Sequence, residues 1–478
     1  MILAAGIVRA ESPAPPEEGL EPELRSVFDR YRQEVLGLPA EDILVPGTDS
    51  QLKTLLDAAR RENPDLRASA SGLRSDRELA RAAAADLAPR LGLEGDYDLF
   101  ADRGVQAKTY ASRLQLTQAL WDGGLWSRSR LAEALAQSSG FSHELAGLVL
   151  DYEVARTYFD LMKHDAIARE HLGNVERLGE AGRVIEGMFS AGLKTKADHL
   201  HARISLATAK SMLLRSVQGA RDRLVELNRL LRRSPQSQVG VQAMGKVRLF
   251  VPEAGACLAA ARANRPDIKM QGARVRAARA ALSGARQSFW PTLSLVGAVG
   301  HADTDAFAFT RNESRAMLRL SLPLFQGRNL GYLASAGHIE RSELARLDGV
   351  ADRAAAEVAG TLHSLRTDVA QIRLLKDKSE AAAERLRAEK YLYRNGRLLT
   401  TDLMDSYRSF VEARQEIIEA VCDYRIRMSR LRLEMGGAEF PAPAAEQGRA
   451  PEETLDLGAL LGQGAEPADG RESGEDEE

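Results

Sequence analysis

Asp402 and Asp405 are the side chains whose type and spacing speak most directly to chemistry. Three residues apart at the start of a helical stretch, they fall on one face about one turn from each other. Carboxylates so placed either complement a helix dipole and stand solvated, or present paired negative charge to a cation. Nothing around them builds an active site. The eight histidines, His199 and His201 among them, form no HxxxH or comparable ligand set. Cys257 and Cys422 lie far apart without a CxxC or a Cys/His cluster, so they read as two buried small residues. No nucleophile, base and orienter come together, and no glycine loop is built to cradle phosphate. The sequence therefore reads as a non-enzyme with no cofactor and no metal.

The elements that must position the acidic pair are duplicated. Asn63-Pro64-Asp65-Leu66 answers Arg265-Pro266-Asp267-Ile268, and Ala88-Pro89 answers Trp290-Pro291, at an offset of 202. Trp121-Asp122-Gly123 answers Phe325-Gln326-Gly327, and Gly192 answers Gly396, at an offset of 204. A period this long marks a duplicated half-protein, not a solenoid. Each half reads helix, strand, strand, long helix, shorter helix. The long helices are expected over Leu125 to Gly192 and Asn329 to Gly396, 68 residues each and without proline. At the helical rise such a helix reaches about 100 Å. Further helices are expected over Gln51 to Leu87, Thr195 to Leu231, Glu253 to Ser288 and Leu398 to Met435. Gly192 and Gly396 should end the long helices in left-handed caps, making two helical hairpin tips at the pole opposite the strands.

Residues 1–50 read as a signal remnant and flexible leading segment, with at most a short helix around Glu23 to Val35. MILAAGIVRAES resembles the end of a secretory signal cut near Ala10, with the true start upstream; no cysteine follows to carry an acyl anchor. Residues 51–437 form the duplicated body: repeat 51–232, linker 233–252, repeat 253–437. The acidic, Gly/Pro/Ala-rich stretch 438–478 is expected to be a disordered tail, being too poor in apolar residues to fold alone. A net charge of -3, spread along the helices, gives no footprint for nucleic acid. No apolar run is long enough for a transmembrane helix.

All four strands alternate. Leu91, Leu93, Gly95, Tyr97 and Leu99 oppose Arg90, Glu94, Asp96 and Asp98; Leu114, Leu116 and Leu120 oppose Arg113, Gln115 and Thr117. In the second half Leu293, Leu295 and Val299 oppose Thr292, Ser294 and Ala298, while Leu318, Leu320, Leu322 and Leu324 oppose Arg319 and Ser321. Such a sheet stands either between lipid and water or between a helical core and solvent. Prolines and aromatics where strands pass into helices suit an interfacial girdle, although 5% aromatic content is low for a membrane barrel. Four strands cannot close a barrel in lipid, because open edges leave backbone groups unpaired. Two copies would give eight strands and a filled interior, whereas three give twelve and room for solvent, so a pore favours a trimer.

Several motifs resemble the TolC family of outer-membrane efflux proteins over roughly Gln51 to Gly437. They are Asn63-Pro64-Asp65 with Arg265-Pro266-Asp267, Phe289-Trp290-Pro291-Thr292-Leu293, Leu322-Pro323-Leu324-Phe325-Gln326-Gly327, and Tyr393-Arg394-Asn395-Gly396 followed by Thr401-Asp402-Leu403-Met404-Asp405. The resemblance implies a mainly helical homotrimer sharing a 12-stranded β-barrel in the outer membrane, continued across the periplasm by a long α-helical barrel. It implies a passive exit duct of a tripartite efflux or type I secretion system, fed by an inner-membrane pump through a periplasmic adaptor. Leu91, Leu93, Leu114, Leu116, Leu293, Leu295, Leu318 and Leu320 would then face lipid. Gly192, Asp198, Tyr393 and Gly396 would mark the tips that dock the adaptor, and Asp402 and Asp405 would line the closed entrance. A basic latch residue found in some members has no clean counterpart, since Leu398 stands at its place and Arg397 one position early. The competing reading is a periplasmic coiled-coil scaffold without a channel.

Overall fold

The computed structural model describes Ser26 and residues 48–102, 105–239, 245–303, 312–443 and 453–462. Apart from Ser26, the expected leading helix over 23–35 lies outside the described residues, as does the tail beyond 462. The first half runs α1 (Thr48–Glu62), α2 (Pro64–Ala85), β1 (Arg90–Asp102), β2 (Val105–Trp121), α3 (Gly123–Ser190) and α4 (Lys196–Leu230). The second runs β3 (Lys246–Leu249), α5 (Ala254–Asn264), α6 (Pro266–Gln287), β4 (Thr292–Asp303), β5 (Asn312–Ser321), α7 (Gly327–Arg394) and α8 (Thr400–Glu434). Last come β6 (Glu453–Asp456) and α9 (Leu457–Gly462).

The long helices α3 and α7 are 68 residues each, the expected length, displaced two residues toward the N-terminus. Asp122 fixes the start of α3, its side chain accepting from Leu125 N at 3.1 Å. The single helices expected over 51–87 and 253–288 are instead two each. Pro64 and Pro266 occupy first-turn positions, and the residues before them, Asn63 (ψ 126) and Arg265 (ψ 121), are extended. A proline disfavours helical backbone at the preceding residue while fitting the first turn of a new helix. Asn63 Oδ1 then caps α2 by accepting from Asp65 N and Leu66 N at 2.9 and 3.1 Å. Arg265 has no capping side chain and pairs with Asp267 and Glu357 at 2.7 and 2.9 Å.

The four long strands make one antiparallel sheet in the order β1-β2-β4-β5. Each is joined at the same end to a helix, α2 to β1, β2 to α3, α6 to β4 and β5 to α7. Because α2 packs on α3, α3 on α6 and α6 on α7, the helices keep the order of the strands. Near the sheet this helical wall is one layer thick. Its buried residues there are mostly small, Ser127, Ala134, Ala136 and Ser138 on α3 with Ala273, Ala277 and Ala278 on α6, which lets the helices lie close side by side. Further from the sheet α4 and α8 join α3 and α7, and large side chains such as Tyr158, Leu161, Leu213, Phe410 and Ile417 fill the interior. That half holds most of the apolar burial that stabilises the chain.

A second, two-stranded sheet pairs β3, from the expected linker, with β6. Residues 453–462 fall within the stretch expected to be disordered, yet they bury Leu455, Leu457 and Leu460. Arg414 of α8, 3% exposed, donates to the carbonyls of Leu461 at 2.6 Å and Leu460 at 3.2 Å and pairs with Glu170 of α3 at 3.2 Å. The segment cannot fold alone, but the body supplies the apolar surface and the donor it lacks. Neither cysteine is in a disulfide and both are buried, and burial pushes the Cys422 thiol up to about 12.

Candidate functional site

Register decides which side chains share a face of the sheet. Leu91 pairs with Leu116 and Leu93 with Leu114. Leu114 pairs with Val299 and Trp121 with Leu293, while Leu293 and Leu295 pair with Leu320 and Leu318. Directly paired residues point to the same side, so all eight leucines singled out in the sequence lie on one face. Six of them are exposed in the single chain, Leu93 at 78% and Leu320 at 70%; Leu293 and Leu295 are half-buried. Tyr97, Leu99 and Val299 extend this exposed apolar surface, which is larger than a monomer facing water ordinarily carries. Arg90, Glu94, Asp96, Arg113, Gln115, Arg315 and Arg319 take the other face, where Arg113 pairs with Asp96 at 3.5 Å. At Gly300 a Cβ would come within 2.1 Å of the Ser112 carbonyl oxygen, so only glycine permits β4 to approach β2 there. Among the described residues, β1 and β5 each have a free edge.

The two tips are built alike. Gly192 (φ +74) and Gly396 (φ +70) are left-handed. Leu193 N donates to Met188 O at 2.8 Å and Arg397 N to Leu392 O at 2.9 Å, closing the backbone pattern that ends a helix at such a glycine. In the first tip Thr195 and Asp198 form a capping box, with Asp198 N donating to Thr195 Oγ1 at 3.2 Å and Thr195 N to Asp198 Oδ2 at 3.1 Å. Thr195's side-chain hydrogen bond holds the Asp198 carboxyl below its ordinary range. In the second tip Tyr393 is buried, its hydroxyl 3.3 Å from Thr400 Oγ1. Lys194 Nζ lies 4.7 Å from the centre of the Tyr393 ring, so the tips touch. Lys194 did not stand out in the sequence, because its contact with Tyr393 joins residues from different halves.

Asp402 lies exposed in the first turn of α8. Asp405 is also exposed but carries a partner, Arg408, one turn further on. Both contribute to the negative field that, after the hydrogen bond Arg385 donates to Glu389, raises the pKa of Arg385 on α7. The pair is thus brought to one surface, with Arg408 offsetting part of its charge. Among the described residues, no three His, Cys, Asp or Glu side chains are placed to hold a metal ion, and no helix is long and apolar enough to cross a membrane.

Residues 55–231 and 257–437 match the family described as outer membrane efflux protein. The chain is 23% identical over 421 residues to outer membrane protein TolC of Salmonella enteritidis, covering 84% of this chain and 85% of that protein. It is 25% identical over 413 residues to cation efflux system protein CusC of Escherichia coli K12, covering 81% and 87%. Among solved structures, the outer membrane protein VceC of Vibrio cholerae shares the fold with a TM-score of 0.73 at 19% identity, over 82% of this chain and 97% of that one.

Proposed function

The chain belongs to the outer membrane efflux protein family and is an outer-membrane efflux channel; from that premise we propose that three copies join their sheets into a 12-stranded barrel. The observation that carries this reading is the sheet itself: one apolar face, one charged face and a free edge on each side. Edges left open in lipid leave backbone donors and acceptors unpaired, so the strands must find partners in other copies. Three chains of four strands leave a wet interior lined by the charged face, whereas two would leave it filled by side chains. Helices in the same order as the strands continue the wall, and at about 100 Å α3 and α7 carry it deep into the periplasm.

In this reading the wall conducts passively, and the energy comes from a pump in the inner membrane. The tips around Gly192, Asp198, Tyr393 and Gly396 dock the periplasmic adaptor. Asp402 and Asp405, three copies of each, ring the closed entrance and favour cations there. Asp402, without an ion-pair partner among the described residues, carries more of that effect than Asp405, whose charge Arg408 offsets.

The test is to fractionate cells, look for a heat-sensitive trimer among outer-membrane markers, and record single channels from it in planar bilayers. Recovery as a soluble monomer would eliminate the duct in favour of a periplasmic scaffold. Asp402→Ala with Asp405→Ala should lower cation selectivity and weaken block by trivalent cations in an intact trimer. Unchanged selectivity and block would remove the acidic ring and leave the duct standing.

A further inference from the structure

A cleft of about 340 Å³ lies between α3 and α6, lined by Arg130, Glu133, Gln137, Arg276, Arg279 and Ser283. Its position follows from two tryptophans. Trp121 pairs across the sheet with Leu293 and so lies on the apolar face. The Trp121 and Trp126 rings meet edge-on at 5.3 Å, which continues that face onto the first turn of α3. Exposed residues 130, 133 and 137 follow Trp126 at steps of four, three and four, the spacing of one helix stripe. The cleft therefore opens on the outer side of the wall, Arg130 about 6 Å below Trp126 along the helix. It is lined by the two middle helices of the layer, away from the outer edges of α2 and α7 that would meet neighbouring copies.

Charge in the cleft is of both signs. Arg130, in the lining of the cleft, makes no ion pair among the described residues. Arg276 Nη2 donates to the neutral Gln137 Oε1 at 2.9 Å, so its charge is also uncompensated there. Arg279 is neutralised through its Nε by Glu340 at 3.1 Å. Glu133 is exposed and, among the described residues, accepts a hydrogen bond only from Gln137 Nε2, at 3.4 Å. Two guanidiniums without a carboxylate partner among the described residues thus line the same cleft as one carboxylate open to an ammonium. Immediately above them is the apolar, tryptophan-edged surface that suits acyl chains.

We propose that this cleft binds the headgroup of a zwitterionic phospholipid from the leaflet at the periplasmic end of the barrel, its phosphate on Arg130 and Arg276 and its primary ammonium on Glu133. Guanidinium forks suit phosphate oxygens, and a headgroup that carries the phosphate but no ammonium would leave the Glu133 carboxylate without a counter-charge. The proposal rests on the reading that the apolar sheet face meets lipid. One such lipid per copy would fix the depth of the barrel and fill the groove between α3 and α6.

Lipid retention on the purified full-length channel tests this by native mass spectrometry, after delipidation and return of phosphatidylethanolamine, phosphatidylcholine or phosphatidylglycerol. A heat-sensitive oligomer in the outer-membrane fraction is required first; if wild-type protein never forms one, the barrel reading fails and not the site. In assembled protein, phosphatidylethanolamine should be retained over the other two. Arg130→Ala with Arg276→Ala should cut that retention by about tenfold or more, the equivalent of one strong contact. Glu133→Gln should abolish the preference over phosphatidylglycerol while leaving phosphate-dependent binding. Undiminished retention in the double variant overturns the site. A Glu133→Gln variant that keeps its preference, or a wild type that favours phosphatidylglycerol, overturns the headgroup assignment.

Discussion

Placing arginine at Leu116 tests the face assignment where lipid should punish it most. Leu116 is in β2, five residues before Trp121 at the helix end of the strand, and it pairs with Leu91 on one side and Gly297 on the other. At about 3.3 Å per residue and a tilt near 45°, five residues carry the side chain roughly 12 Å into the membrane. The apolar band of such a barrel is about 25 Å tall, so Leu116 stands close to its middle. Arginine there should cost about 2–4 kcal/mol per copy, or about 6–12 kcal/mol for three copies, a large share of a protein's stability. Leu320 is one residue from the end of β5, so Leu320→Arg should cost only about 0–1 kcal/mol. Gln115→Arg, on the opposite face beside Gly92 and Ala298, is the matched control and should be nearly neutral. Heat-sensitive oligomer in outer-membrane fractions, and its dissociation across a urea series, would rank the three variants. If Gln115→Arg harms assembly as much as Leu116→Arg, the charged face does not line water and the reasoning fails.

Gly396 has open space around it, so Gly396→Val is penalised by its positive φ alone, about 1–2 kcal/mol, and Gly396→Asn by less. Export should fall in that order with the oligomer retained, and proteolysis confined to the tip should track it; normal export by both would take the tips out of docking. Arg414→Ala leaves Glu170 and two buried carbonyls without their donor, at a cost of about 3 kcal/mol, and should expose residues 453–462 to protease before the body unfolds. Burial lowers the pKa of His171, and of His164 with help from Lys163, so the unfolded chain takes these protons first. Their contribution is present above about pH 6.5 and is lost as pH falls through the folded values, and His171→Asn should flatten the loss of thermal stability between pH 7 and 6. Burial raises Asp368 and Glu434, which act in the opposite sense in more acidic solution, where the folded state gains protons first.

Periodicity is a local property, and what depends on it was legible in the sequence. Alternation in the strands placed the eight leucines on one face, and the glycines at 192 and 396 marked the tips where the structure has left-handed caps. The 68-residue helices had the right length because no proline interrupts them. The breaks at Asn63-Pro64 and Arg265-Pro266 carried a readable signal too, the restriction proline puts on the residue before it, but continuous helical composition on both sides concealed it.

What the tertiary structure alone decided are contacts between segments far apart in the chain. β3 pairs with β6 across more than two hundred residues, so a stretch too polar to fold by itself becomes ordered only on a surface built by the rest of the protein. Arg414 and Glu170 are separated by 244 positions, and Lys194 reaches Tyr393 of the other half. Arg130 and Arg276 face one cleft only because small residues let α3 and α6 lie side by side. A sequence determines the face a side chain takes on its own element, because that follows from backbone geometry one turn or one pleat at a time. Which face it meets across the gap depends on the packing of whole elements, and that is settled only when the chain has folded.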